Sequence, residues 1–65
     1  MLYVIERKDG EEWFPIPFFQ TIGRDDADYI HSCISQNHDS ILKTYDIIKS
    51  KFHNREFRVK LYKRM

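Results

Sequence analysis

The stretch Leu2-Tyr3-Val4-Ile5-Glu6-Arg7-Lys8-Asp9-Gly10-Glu11-Glu12-Trp13-Phe14-Pro15-Ile16-Pro17-Phe18 decides the fold. Leu2 to Arg7 is rich in β-branched and aromatic residues and reads as a strand. Asp9-Gly10 tolerates positive φ and marks a hairpin turn, so Glu12 to Phe18 reads as the returning strand. A turn symmetric about Asp9-Gly10 sets Ile5 opposite Phe14, Tyr3 opposite Ile16, Arg7 opposite Glu12 and Lys8 opposite Glu11. Tyr3, Ile5, Phe14, Ile16 and Phe18 then share an apolar face, and Val4, Glu6 and Trp13 lie on the other. A three-residue loop, Lys8-Asp9-Gly10, is the competing arrangement; its one-residue slip carries one strand's side chains to the opposite face. The symmetric turn is favoured because it pairs opposite charges and collects the larger apolar set.

Pro15 and Pro17 cannot donate to a sheet ladder, so the returning strand is an edge. The first strand is then central and needs a neighbour on its far side. Glu56 to Tyr62 supplies it: Phe57, Val59 and Leu61 alternate with Arg58, Lys60 and Tyr62. The expected architecture is α+β, a three-stranded sheet of order 2-1-3 with one or two helices on one face, forming one domain over residues 1–65.

Two helices are expected between the hairpin and the last strand. Gly23-Arg24-Asp25-Asp26 resembles a helix start, with acids near the positive end of the dipole, and Ala27, Ile30 and Ile34 follow at helical spacing with Cys33 beside them. This helix should end near Gln36. Asn37-His38-Asp39 offers caps for the next, in which Ile41, Leu42, Tyr45, Ile48 and Phe52 form an amphipathic stripe, with Ile47 off it. Asn54 suits a left-handed stop.

Charge is polarised along the chain. Residues 1–39 hold three bases and eight acids, a balance of −5; residues 40–65 hold eight bases and two acids, a balance of +6. The acids fall at the hairpin and at helix starts, where capping accounts for them. The bases Arg55, Arg58, Lys60, Lys63 and Arg64, interleaved with Tyr62, fall largely on the outward face of the last strand. With Trp13 across the sheet and Phe19 also taken as exposed, Trp13, Phe19, Arg55, Arg58, Lys60, Tyr62, Lys63 and Arg64 form the expected partner-binding set. Cations interleaved with aromatics also suit nucleic acid, the alternative partner, although such domains carry a stronger basic excess than a net charge of +1.

Site chemistry is sparse. Cys33 is the single cysteine, which excludes an intrachain disulfide and a four-cysteine zinc site. His31 and Cys33 diverge on a helix, and His38 and His53 lack ligand spacing, so no metal, cofactor or catalytic set is expected. Five residues precede charged Glu6 at the amino terminus, too few for a secretion signal core. With a lone thiol and no apolar span, the expectation is a cytoplasmic protein without a membrane anchor. A chain of 65 residues folds marginally without staples. A marginal core and an edge strand also invite a homodimer.

The run Tyr3 to Trp13, then a helix, then Asn54-Arg55-Glu56-Phe57-Arg58-Val59, resembles short uncharacterised early proteins of tailed bacteriophages. The helix expected over Asp25 to Ser35 departs from that pattern. The resemblance implies a non-enzymatic modulator or inhibitor that docks on a host protein in the host cytoplasm, and it transfers no functional residues.

Overall fold

In the computed structural model, which describes residues 1–63, the first strand, β1 (Leu2–Asp9), is the axis of the main sheet. On one edge it pairs with β2 (Glu12–Pro15) and, further along, with the two-residue β5 (Ile34–Ser35). Its other edge is occupied along Leu2 to Arg7 by β6 (Phe57–Tyr62), and all three pairings are antiparallel. The helix α1 (His38–Lys51) packs against β1, β5 and β6. The fold is α+β, with β1 central between β2 and the last strand, as the prolines require.

The hairpin register differs from the expected one. Asp9 pairs with Glu12, Lys8 with Trp13 and Arg7 with Phe14, so the loop is Gly10-Glu11 rather than Asp9-Gly10. Only Gly10, at φ 65°, takes the left-handed region in this turn. That is the requirement of a two-residue turn with glycine first, which leaves Asp9 extended and paired. The shift is two residues, so Trp13 and Phe14 keep their expected faces. The expected pairs Arg7–Glu12 and Lys8–Glu11 do not form. Instead Lys8 Nζ lies 3.3 Å from Glu56, and Arg7 stands over the Phe14 ring, 5.5 Å from its centroid.

The returning strand stops at Pro15 instead of continuing to Phe18. Ile16 still donates its N–H to Ile5 (2.9 Å), but beyond Pro17 the chain leaves the main sheet. It forms a separate antiparallel ribbon, β3 (Phe18–Ile22) with β4 (Asp28–Ser32). This replaces the helix expected over residues 25–36. The five-residue tip holds Asp26 at φ 60°. Asp25 Oδ1 accepts the Ala27 N–H at 3.2 Å, and the Tyr29 hydroxyl donates to Asp25 Oδ2 at 3.2 Å. A Cβ at Gly23 would strike the Tyr29 ring, so glycine permits that closure. The acids that resembled a helix start are turn residues, and the helical spacing of Ala27, Ile30 and Ile34 is coincidental.

The ribbon projects as an arm. The radius of gyration is 12.4 Å and the extents are 43 × 28 × 15 Å. A compact chain of this length would have a radius of about 11 Å.

The core lies between the sheet and α1. Ile5, Cys33, Ile41 and Ile48 are fully buried, with Phe19 and Phe57 beside them. Asn37 caps α1 by accepting the Ser40 N–H at 3.1 Å, and the Tyr45 hydroxyl donates to the Phe57 carbonyl at 3.1 Å. Four side chains depart from expectation here. Phe19 is buried, stacked on His31 at 4.6 Å, because β3 turns it toward the core. Phe18, one residue away, points outward instead. Ile47, off the expected stripe, packs against the core, whereas Leu42 is exposed. Asn54 does not take a left-handed conformation; Phe52 caps the helix, its N–H donating to Ile48 at 3.0 Å.

Candidate interaction surface on the open sheet face

Alternation sets the site. Tyr3, Ile5, Phe57 and Val59 point toward α1 and the core. Leu2, Val4, Glu6 and Lys8 therefore point the other way, together with their β6 partners Tyr62, Lys60 and Arg58. Trp13, opposite Lys8, joins them from β2, and Ile34, opposite Val4, from β5. Among the described residues no helix covers this face.

At its centre is a carboxylate. Glu6 is only 3% exposed, although it lies on the open face. Arg58 grips Glu6 Oε1 through Nε and Nη2, both at 2.7 Å, and the Tyr62 hydroxyl donates to Oε2 at 2.6 Å. The indole of Trp13 reaches across β1 and lies 4.3 Å from the Arg58 guanidinium carbon, with Lys8 5.9 Å from the same ring. Lys60 Nζ stands 5.3 Å from the Tyr62 ring. The result is a ladder across three strands, Trp13–Arg58–Glu6–Tyr62–Lys60, with alternating aromatic, cationic and anionic rungs.

The electrostatics follow from these bonds. The Tyr62 hydroxyl, then Arg58, holds the Glu6 carboxyl below its ordinary 4.5, against the opposing effect of burial. The same hydrogen bond raises the Tyr62 phenol above its ordinary 10.0. Arg58 and Lys8 already face Glu6 and Glu56. Among the described residues, Lys60 has no carboxylate partner.

Four members of the expected set, Trp13, Arg58, Lys60 and Tyr62, therefore share one face. Lys63 follows the end of β6 and, with Met1, Leu2, Gln36 and Tyr62, lines a hollow of about 410 Å³. Arg55 lies before β6, on the rim of a different groove on the α1 side. Phe19 belongs to the core and not to the open sheet face. Arg64 lies outside the described residues. Glu6 is the functional-face residue that sequence reasoning passed over as a bystander; its signal is an acid between apolar neighbours, aligned with Arg58 only once the β1–β6 register is known.

Cys33 is fully buried in the core. Burial pushes its thiol up to about 11, so the nucleophilic thiolate is suppressed near neutral pH. Among the described residues no three His, Cys, Asp or Glu side chains gather as metal ligands, and no helix is long and apolar enough to cross a membrane.

Comparison with known proteins finds no matching family, no matching characterised protein and no matching solved structure.

Proposed function

We propose that the chain is a small non-enzymatic binding protein that docks on another protein through the open sheet face. One observation carries the reading: a buried acid on an otherwise uncovered face holds Arg58 and Tyr62 in fixed positions beside Trp13. Trp, Tyr and Arg are the side chains that dominate interface energetics when clustered. Fixing their conformations in advance lowers the entropy lost on association. The resemblance to phage early proteins supports a host protein as target, with modulation or inhibition by occlusion in the host cytoplasm. Nucleic acid is the less supported partner. The charges of Arg58 and Lys8 are already neutralised, which leaves few cations to release counterions from phosphates.

The experiment is affinity capture from bacterial lysate with the wild-type chain, Trp13→Ala and Lys60→Ala, each checked for an unchanged circular dichroism spectrum. The reading expects one stoichiometric protein partner whose retention falls with both variants. A partner held equally well by all three chains, or retention only of nucleic acid, would count against it.

A further inference from the structure

Two surfaces away from the sheet face are unmatched. Among the described residues the β3–β4 arm is a two-stranded ribbon, and such ribbons are marginal in isolation. One of its faces carries Phe18, Ile22 and Ile30, which are 56%, 71% and 71% exposed. Asp28, directly opposite Ile22, ends that stripe with a carboxylate. The other surface is a groove of about 250 Å³ where the arm root, the end of α1 and the sheet meet. Ile16, Phe19 and Phe57 form its floor and Phe52 a wall, with Arg7 and Arg55 as cationic rims. Among the described residues Arg55 has no carboxylate partner, and Arg7 has only exposed Asp9 at 3.9 Å.

We propose that these surfaces fit each other in a homodimer: the arm of one protomer lays Ile22 and Ile30 into the groove of a second copy, with Asp28 between the partner's Arg7 and the partner's Arg55. The groove is smaller than pockets for drug-sized ligands and suits one or two aliphatic side chains. Its cationic rims match the carboxylate that ends the stripe. Phe19 lines the groove while Phe18 opens the stripe, so donor and acceptor surfaces are contiguous around β3. That contiguity allows a reciprocal contact about a two-fold axis, in which each arm covers the other protomer's groove. The contact uses neither Trp13 nor Lys60, so it stands or falls apart from the sheet-face reading.

Sedimentation velocity over a wide concentration range tests it. The wild-type chain should pass from monomer to dimer. Ile30→Glu should raise the dissociation constant by about ten-fold or more. Asp28→Lys and Arg55→Asp should each weaken the dimer, and an equimolar mixture of the two should associate more tightly than either alone, because both contacts of the mixed dimer regain opposite charges. All three positions are exposed, so circular dichroism should be unchanged. A chain that stays monomeric throughout, a dimer indifferent to Ile30→Glu, or a mixture with no gain would overturn the proposal. The mixing experiment remains decisive even if Ile30→Glu perturbs the arm.

Discussion

Replacing Glu6 by Gln removes the charge on which the open face is organised and leaves its shape nearly intact. The wild-type carboxylate is buried and accepts two bonds from Arg58 at 2.7 Å and one from Tyr62 at 2.6 Å. A hydrogen bond to a charged group contributes roughly 1.5–3 kcal/mol. Arg58 and Tyr62 are both about 40% exposed and regain water when released, and Gln keeps one acceptor. The expected net loss is therefore about 2 kcal/mol, below the simple sum of the bonds. For a domain of this size that lowers the thermal midpoint by about 8–16 °C. Urea titration followed by Trp13 fluorescence measures it. Pairing Glu6→Gln with Arg58→Ala in a double-mutant cycle should give a coupling of about 1 kcal/mol or more. The pH dependence carries the same signature. Because the folded carboxyl lies below its ordinary 4.5, its contribution is present above that value and is lost as pH falls through the folded value. Wild type should therefore lose stability on acidification more steeply than the Gln variant. A loss within about 0.5 kcal/mol, or a coupling indistinguishable from zero, would refute the ladder as a physical unit.

Three further outcomes follow from the geometry. Cys33 and Tyr62 both titrate above their ordinary values, so the stability they contribute is complete below pH 9.0 and fades as pH rises, through about 11 for Cys33; alkaline unfolding should coincide with exposure of the thiol to Ellman's reagent, which should react slowly with the native chain at neutral pH. Asn37→Ala removes the cap on Ser40 and should cost about 1 kcal/mol in urea denaturation, with helix α1 otherwise intact. Ile41→Ala opens a cavity at a fully buried position and should cost about 2–5 kcal/mol, enough to leave much of so small a domain unfolded by circular dichroism.

The main sheet was legible because its signals are local and redundant. Phe57 to Tyr62 alternates cleanly, and Pro15 marks the edge regardless of the turn, so the central place of β1 followed without knowledge of register. The helix α1 was legible from Asn37 and the spacing of Ile41, Tyr45 and Ile48. The arm was not. Its strands are five residues each, too short for periodicity to separate them from helix, and Ile30 and Ile34 fit a helical stripe by accident. The readable signal was the pairing of two β-rich runs, Phe18–Ile22 and Asp28–Ser32, across a loop holding Gly23 and two acids. Phe19 reads as a surface residue because alternation along one continuous strand cannot turn all of Trp13, Phe14, Phe18 and Phe19 inward. The break between Pro15 and Phe18 resets that alternation and turns Phe19 to the core. For the open face, alternation alone gave Trp13, Arg58, Lys60 and Tyr62. The ladder itself depends on contacts between residues more than fifty positions apart, which no local pattern encodes.

The most direct test of the sheet-face reading is an NMR titration of the isotopically labelled chain with the captured partner. The account predicts that the Trp13 indole N–H, the Arg58 side-chain N–H and the amides of β6 shift, while the tip of the β3–β4 arm does not. Shifts confined to α1 or to the arm, with the Trp13 indole unmoved, would contradict it.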